Sequence, residues 1–373
     1  MSGGIPDRLD PPVQLLTPVT VGLLELPNRL VMAPMTRLRA GTDAVATPLI
    51  AEYYAQRATA GLLITEGTFP SAESKAYPGQ PGIASEEQAA GWALVADAVH
   101  AAGGHVFAQL MNGGRVSHPE ITGTARIVAP SAIAIEGEVR VPDGSKKPYP
   151  VPHALDGAEL EIVRDEFVLA ARRAIAAGLD GVEVHSANGY LLHQFLSPAS
   201  NVRTDGYGGS PAARARFVIE VTRAVAAEVG AARVGLRISP ERNIQDVWEK
   251  DAADVRATYE ALVDGVAPLG LAYLSVLHPD LDGSLVRDLR RRFGGVVVAN
   301  SGVASPTTRD EAETLVSSGV ADAVAVGRAL IANPDLVARW REGADENAVD
   351  QASVYGPDAR GYTDYPALTT VGG

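Results

Sequence analysis

The sequence predicts a closed α/β barrel of eight parallel strands, a (β/α)8 TIM barrel, with an N-terminal β-hairpin and a long capping insertion after strand 3. Two observations predict this fold class. Short, β-branched apolar runs alternate eight times with longer Ala-rich segments of helical periodicity. The runs are apolar throughout rather than alternating, which indicates a parallel sheet covered on both faces. Eight such units favour a closed barrel over an open doubly wound sheet, which stays as the alternative.

The predicted elements follow one another at regular intervals along the chain. The strands are expected near 29–37, 61–68, 105–115, 180–190, 233–240, 271–276, 295–302 and 321–328. The helices are expected between them, near 47–60, 86–102, 156–177, 211–230, 251–267, 284–292 and 306–318. Cap-type residues such as Thr47, Ser85 and Asp156 precede several of these helices, and Gly103 and Gly178 follow two helix ends.

Segments outside this alternation complete the single domain predicted for residues 1–373. The opening "VTVGLLELPNRLV" predicts a short hairpin that covers the barrel floor. Residues 111–155 are rich in Pro and Gly and are expected to cap the barrel, because long loops in compact domains are usually functional. Residues 1–10 are expected to be flexible, and the 343–373 tail is not helical by pattern.

Composition excludes several classes of function. The net charge of −13 argues against a nucleic-acid surface or an anionic membrane as partner. The absence of cysteine excludes disulfides, iron–sulfur clusters, thiolate zinc sites and cysteine nucleophiles. The chain start lacks a signal-peptide pattern and no stretch reaches 18 uncharged apolar residues, so we expect a cytoplasmic protein without a membrane span.

Polar and small residues collect at the predicted strand ends. In a barrel of this type the reactive groups lie at the carboxyl-terminal face, where strands meet the following loops. The residues that fall there are Thr36, Gly67, Gln109, His185, Asn188, Arg237, Gly302 and Arg328. We therefore expect these residues to surround one cavity.

The ends of strands 7 and 8, "NSG" and "VGR", are candidates for a phosphate site. Gly302 and Gly327 let backbone N–H groups approach a phosphate, and Arg328 can pair with it. Tight turns and a helix-capping arginine explain the same residues equally well. Arg237, at the end of an apolar strand, needs a partner, which is either a carboxylate or a ring that becomes anionic on reduction.

The stretch "HSANGY" carries the candidate chemistry. His185, largely neutral at pH 7, and Asn188 can each donate a hydrogen bond, and two donors that converge on one oxygen stabilise developing negative charge. The alternative is a structural histidine with an asparagine capping a turn. Tyr190 stays protonated at pH 7 and can serve as an acid, or it is an aromatic wall. His193 is interpreted as a packing residue, and no metal site is predicted.

Several motifs together resemble the old yellow enzymes, flavin-dependent ene-reductases, over essentially the whole chain. They are "NRLVMAPMTR" (28–37), "TEGTFPS" (65–71), "HSANGYLLHQFLSPASNVRTDGYGGS" (185–210), "RISP" (237–240), "AVGR" (325–328) and "GYTDYP" (361–366). The resemblance implies a non-covalent FMN at the barrel mouth, with NADPH or NADH as hydride donor in a ping-pong scheme. It implies that the FMN is held by Pro34, Met35, Thr36, Gly67, Gln109, Arg237, Ser301, Gly302, Gly327 and Arg328.

The resemblance also implies the substrates and their contacts. They are small electron-poor alkenes: α,β-unsaturated carbonyls, maleimides, nitroalkenes and, in addition, nitrate esters. His185 and Asn188 would hold the substrate oxygen, and Tyr190 would protonate the α-carbon. Met111, Gln245 and Tyr355 would line the substrate side.

Two positions define where this chain stands within the family pattern. Thr36 places it in the branch with threonine rather than cysteine at this position. Met111 occupies a position that is tryptophan in many members, which leaves substrate preference and facial selectivity open. For the assembly, we expect a monomer or a homodimer.

Two other functions are the alternatives to an ene-reductase. One is a flavin-binding or ligand-sensing protein with little turnover, and the other is a metal-dependent barrel hydrolase.

Overall fold

The barrel strands close into one ring in chain order. The computed structural model describes residues 13–302 and 305–368, so the expected flexibility of residues 1–10 lies outside the described residues. Each strand pairs in parallel with the next, and strand β8 pairs with β1 to close the ring. The strands are β1 (Leu30–Met32), β2 (Leu62–Ile64), β3 (Val106–Leu110), β4 (Gly181–Ser186), β5 (Val234–Ile238), β6 (Tyr273–Leu277), β7 (Val297–Asn300) and β8 (Ala323–Val326). The predicted (β/α)8 barrel is confirmed.

Helices pack around this ring, and their sequence-predicted bounds hold to within a few residues. The longer ones are Pro48–Ala55, Glu86–Ala101, Gly157–Ala176, Pro211–Val229, Ala252–Val266, Ser284–Phe293 and Arg309–Ser317. Shorter ones are Pro119–Thr122, Leu191–Leu196, Arg328–Ala332 and Leu336–Glu342, with 3-10 turns at Gln14–Leu16, Ala72–Ser74, Ala231–Arg233 and Ala267–Leu269. Within the described ranges, none of the helices has the length and hydropathy needed to cross a membrane.

The predicted helix caps differ in how they act. The Ser85 hydroxyl accepts the N–H of Gln88, and Asp156 forms a reciprocal capping box with Glu159. Thr47 precedes its helix without a side-chain cap, and Pro48 at the first helical position removes one of the N–H groups that a cap would satisfy.

The hairpin predicted for the barrel floor is present. Strands Val19–Val21 and Leu24–Leu26 pair antiparallel. Val21 and Leu26 pack in one apolar cluster with side chains from the barrel strands, including Phe107. Burial of these side chains closes the amino-terminal end of the barrel, which leaves the carboxyl-terminal end for a site.

The capping segment 111–155 folds into small, locally paired pieces. Val128–Ala129 pairs in parallel with His153–Ala154, and Glu138–Arg140 pairs antiparallel with Lys146–Pro148. A separate cluster of Ile121, Val139 and Val141 packs the antiparallel pair against the helix Pro119–Thr122, whereas Val128 packs in the main core.

Buried arginines fix the C-terminal tail to the barrel mouth. Arg37 donates to the carbonyls of Val354 and Gly361 at 3.0 and 2.7 Å. The ring of Tyr362 stacks on Tyr53 with a centroid separation of 3.9 Å. No helix follows Glu342 in the described part of the tail, up to residue 368. The tail therefore becomes part of the wall above β1 and β2.

Glu66, which follows β2, is a fully buried carboxyl group at this junction. It accepts the backbone N–H of Arg37 at 3.0 Å, directly after Thr36. Burial raises the pKa of Glu66 from 4.5 to about 7, although backbone N–H groups and the charges of Arg37 and Arg39 oppose the shift.

Replacing Glu66 with Gln is expected to remove a pH dependence of stability. The folded protein retains a proton on Glu66 that the unfolded chain releases above pH 4.5, so stability falls as pH rises towards and through about 7. The loss amounts to about 3 kcal/mol by pH 8, from about 1.4 kcal/mol per unit of pKa difference. Urea unfolding of both proteins at pH 5 and pH 8 measures it. A stability difference between them that does not change with pH would contradict this assignment.

Candidate active site

A cavity of 380 Å³ opens at the carboxyl ends of the barrel strands. A volume of this size is typical of small-molecule sites. Many of the residues predicted from strand ends and from the family resemblance line it: Pro34, Met35, Asn188, Tyr190, Arg237, Gln245, Gly302, Gly327 and Arg328. Together with Tyr77, these residues lie on or after six of the eight barrel strands, as expected for a site in this fold class.

Three further predicted residues, Gln109, Met111 and His185, are buried near the carboxyl ends of β3 and β4. Met111 packs against Gly67, because a Cβ atom added to Gly67 would lie 2.6 Å from the Met111 Sδ atom. The structure thus brings Gly67 and Met111 together beside the cavity. Their contacts with a ligand stay predictions.

Thr36 and Tyr355 line a neighbouring cavity of 320 Å³ that shares Met35 and Arg328 with the first. Tyr355 is 62% exposed and belongs to the tail, so it lies at the rim of the site. Ser301 lies next to Gly302, and its hydroxyl is 3.2 Å from that of Thr307.

The donor loop, residues 187–190, projects Asn188 and Tyr190 into the cavity. Asn188 adopts φ of 56°, a left-handed conformation that asparagine tolerates better than most residues, and Gly189 follows with φ of 81°. The Asn188 N–H donates to the Ser239 hydroxyl at 2.8 Å. This sharp turn at the end of β4 explains why three hydrogen-bonding side chains fall within six residues.

His185 is a neutral imidazole at the end of β4. Burial, then the positive charge of Arg237, lowers the pKa of His185 well below its ordinary value of 6.5. Its Nδ1 atom has no hydrogen-bond partner among the described residues, and its ring centroid lies 5.3 Å from that of Tyr190. His185 can therefore offer one hydrogen bond to a ligand without carrying charge.

Tyr190 has a partner that no sequence pattern predicted. Its hydroxyl lies 2.9 Å from the hydroxyl of Tyr77, on the loop after β2. Burial raises the pKa of Tyr190, and hydrogen bonds with Tyr77 and Gln245 oppose that shift. The phenol is protonated at neutral pH, and its oxygen is held by a second phenol.

Arg237 is buried in a polar network beneath the cavity. Its guanidinium donates to the Ser275 hydroxyl at 2.9 Å and to the Asn300 side-chain oxygen at 2.7 Å. Burial lowers the pKa of Arg237, and the carboxylate of Glu183 opposes this. The opposite charge for Arg237 therefore comes from Glu183 on the neighbouring strand β4, although the two side chains form no direct ion pair.

Glu183 was also missed by sequence reasoning, although a carboxylate inside the apolar run "GVEV" is a signal. Its two oxygens accept hydrogen bonds from the Gln109 amide at 2.8 Å and from the Tyr273 hydroxyl at 3.0 Å. Burial raises the pKa of Glu183, and Arg237 and these two donors lower it. The Gln109 amide is oriented by this bond, so its carbonyl oxygen faces away from Glu183.

The residues that follow β7 and β8 also line the cavity and lie next to each other. An Arg328 guanidinium nitrogen donates to the Gly302 carbonyl at 3.2 Å, which joins the two predicted phosphate-binding ends. Gly327 precedes the short helix Arg328–Ala332. Two turns of small residues beside an arginine are suited to binding an anion. Residues 303 and 304 of the first turn lie outside the described ranges.

Comparison with known proteins gives a consistent result. Residues 14–347 match the NADH:flavin oxidoreductase / NADH oxidase family. The chain is similar to a "Probable flavin mononucleotide-dependent alkene reductase" of Leishmania infantum, at 41% identity over 95% of this chain and 97% of that protein. These likenesses confirm the resemblance that the sequence motifs indicated.

Comparison with solved structures points to the same family. The old yellow enzyme homologue from Zymomonas mobilis superposes with a TM-score of 0.90 at 38% identity, over 95% of this chain and 100% of that one. Morphinone reductase in complex with tetrahydroNAD superposes with a TM-score of 0.89 at 41% identity, over 95% and 98% of the two chains.

Replacing Gly189 with Ala is expected to destabilise the protein by about 1–3 kcal/mol more than replacing Gly123 with Ala. The two glycines have similar positive φ, 81° and 75°, so both substitutions introduce strain at a positive φ. A Cβ atom on Gly189 would also lie 2.9 Å from the Ile244 carbonyl oxygen, whereas one on Gly123 has no atom within 4 Å. Thermal and urea unfolding of both variants provide the comparison. Equal losses would show that the loops do not press together at Gly189.

Proposed function

The chain belongs to the NADH:flavin oxidoreductase / NADH oxidase family, and we propose that it reduces electron-poor carbon–carbon double bonds with NADPH or NADH through a bound FMN. The protein is a flavin-dependent oxidoreductase of the old yellow enzyme type. Relatives whose names specify an alkene reductase and a complex with tetrahydroNAD support this choice of electron acceptor and donor.

The polar groups around the cavity fit a flavin. Nine buried side-chain atoms lack a hydrogen-bond partner among the described residues, and four of them belong to residues at or beside the cavity: His185 Nδ1, Arg237 Nε, Arg242 Nε and Gln245 Oε1. Buried polar atoms are normally satisfied, so these are candidates for contacts with a ligand rich in nitrogen and oxygen. The cavity that Arg237, Arg242 and Gln245 line offers such a ligand donors as well as an acceptor.

We assign the FMN contacts as the family resemblance implies. Arg237 would face the ring edge that gains negative charge, Gln109 would offer its free carbonyl oxygen, and Thr36 would bond a ring carbonyl. Pro34, Met35 and Gly67 would lie against the ring, and Ser301, Gly302, Gly327 and Arg328 would hold the phosphate. A bound FMN would supply a two-electron carrier between the nicotinamide and the alkene.

His185 and Asn188 would hold the substrate oxygen. Each can donate one hydrogen bond to a carbonyl or nitro oxygen, where negative charge develops as the double bond is reduced. Because His185 is neutral, it can donate this bond without losing its own proton to the substrate at neutral pH. Donors of this type are typically worth ~10²–10³ in rate.

Tyr190 would deliver the proton to the α-carbon of the substrate. Its hydroxyl stays protonated at neutral pH because burial raises its pKa. Tyr77 can donate a hydrogen bond to the Tyr190 oxygen at 2.9 Å, which stabilises the negative charge left when the proton departs. Tyr77 therefore acts through Tyr190.

The bonded pair of Tyr190 and Tyr77 beside the donors His185 and Asn188 is the observation that carries the proposal. A flavin-binding or ligand-sensing protein with little turnover would need no proton donor at this position. Steady-state NADPH oxidation in the presence of 2-cyclohexenone distinguishes the two functions. Turnover that depends on the enone supports the reductase, and enone binding without NADPH oxidation supports the sensor.

We also propose a substrate range, an effect on facial selectivity, a location and an assembly. Maleimides, nitroalkenes and nitrate esters share with enones an oxygen that two donors can hold. Met111, unbranched and flexible, would leave more room than a tryptophan and alter facial selectivity. The cysteine-free composition supports the cytoplasm as the location, and a monomer or homodimer is proposed for the assembly.

Replacing Tyr190 with Phe is expected to slow flavin reoxidation by 2-cyclohexenone about 10²–10⁴-fold, the range for general acid catalysis. Reduction of the flavin by NADPH needs no proton from this side chain, so that half-reaction should change far less. Anaerobic stopped-flow measurement of each half-reaction in the parent and the variant tests the assignment. Equal slowing of both would contradict the role given to Tyr190.

The alkene half-reaction is expected to be nearly independent of pH between about 6 and 9. A free histidine would titrate near 6.5, but the pKa of His185 lies well below this value, so the imidazole stays neutral as pH falls. The pKa of Tyr190 lies above 10, so the acid remains protonated as pH rises. Stopped-flow reoxidation rates across this range test both. A rate that falls with an apparent pKa near 6.5 would refute the neutral-donor model.

A further inference from the structure

His193 lies directly behind the donor loop. It occupies the helix Leu191–Leu196 and is fully buried, as the packing interpretation requires, but its ring makes polar contacts at both nitrogens. Nδ1 accepts the N–H of Gly189 at 2.9 Å. A nitrogen that accepts carries no proton, so in the neutral ring Nε2 carries it and donates to Glu249 Oε1 at 3.2 Å.

Glu249 lies on the loop after β5, which we call the Gln245 loop (residues 239–250). Its side chain is 2% exposed, and a buried carboxylate requires several donors. Oε1 also accepts from the Tyr259 hydroxyl at 3.0 Å, and Oε2 accepts the N–H of Glu241 at 2.7 Å. One carboxylate therefore closes the Gln245 loop and ties it to His193.

The two loops also pack closely at Gly189. A Cβ atom on Gly189 would lie 2.9 Å from the backbone oxygen of Ile244 and 3.0 Å from the Cβ atom of Gln245, so the space between the loops there has no room for a side chain on residue 189. Both loops contain left-handed non-glycine residues: Asn188 with φ of 56° and Gln245 with φ of 56°. Such conformations persist where the surrounding structure holds them in place.

We propose that His193, Glu249 and Tyr259 form a positioning network that fixes the donor loop against the Gln245 loop, and thereby sets where Asn188 and Tyr190 lie relative to His185 on β4 and to Gln245. The inference rests on the proposed function, because it concerns the geometry of that substrate site. The three residues act through Asn188, Tyr190 and Gln245. Misplacement by about 1 Å can reduce an oriented reaction ~10²-fold.

The test uses p-chlorophenol as a probe of the FMN-loaded protein. A phenolate stacked on an oxidised flavin gives a long-wavelength absorption band, so its Kd reads the substrate site without turnover. His193→Phe preserves ring shape but removes both nitrogens. We expect its Kd for the phenol to rise about 10–100-fold, in line with the weakening of a hydrogen bond to a charged group, while the Kd for FMN changes less than about twofold.

Two variants complete the design. His193→Asn keeps an acceptor for the Gly189 N–H and is expected to recover part of the phenol affinity. His100→Phe removes a histidine–carboxylate contact of 3.0 Å with Asp180, just before β4 at the other end of the barrel, and is expected to leave both affinities unchanged.

A His193→Phe variant that binds the phenol as tightly as the parent overturns the proposal. So does a parallel loss of phenol and FMN affinity, which indicates a general role in folding. If His193→Phe does not fold, Tyr259→Phe removes a single hydroxyl, and an unchanged phenol Kd in that variant overturns the proposal instead. A parent that binds FMN and phenol but reduces no alkene contradicts the proposed function and leaves the comparison of variants valid.

Discussion

The burial of the Arg237 guanidinium at the mouth of the barrel is the constraint on which the rest of the site depends. A buried cation needs an opposite charge and several acceptors. Here Glu183 on the next strand supplies the charge, and Ser275 and Asn300 supply the acceptors. The partners of Arg237 make further contacts around the cavity. Glu183 orients the Gln109 amide, Asn300 in turn bonds the Ala325 carbonyl of β8, and the charge of Arg237 helps burial to keep His185 neutral. One buried charge thus links strands β3 to β8 at their carboxyl ends.

The loops above this network carry the residues that we propose act on a substrate, and these loops are held by long-range polar contacts rather than by the hydrogen bonds of a helix or sheet. The donor loop bonds Ser239 through Asn188, and Tyr190 meets Tyr77 from the loop after β2. Buried Glu66 and Arg37 perform the equivalent task on the opposite side, where the backbone after Thr36 meets the C-terminal tail. A rigid barrel with loops fixed in this way offers pre-organised donors, which cost no reorganisation when charge develops.

Much of the fold and part of the site follow from local sequence signals. The helix predicted at 211–230 is observed at Pro211–Val229, because Ser210 caps it and Gly230 ends it. Predicted strands ran too far: the strand expected at 29–37 ends at Met32. Ala33 still donates to Val326 of β8, but Arg37 bonds Glu66 and the C-terminal tail instead of a barrel strand. The convergence of the donor turn and the proposed phosphate-binding ends was predictable, because the strand ends of a barrel meet at one face. The Tyr77–Tyr190 bond joins residues 113 positions apart, and His193 meets Glu249 across 56, so neither leaves a local pattern in the sequence.

Neutral donors and a phenol at the barrel mouth would let a bound flavin reduce an alkene. A single-turnover experiment examines this function: FMN-loaded protein is reduced anaerobically with one equivalent of NADPH, mixed with 2-cyclohexenone, and the product is quantified against bound FMN. An alkene reductase is expected to reoxidise the flavin and to form one cyclohexanone per FMN. A flavin that stays reduced in the presence of excess enone, with no saturated ketone formed, would contradict it.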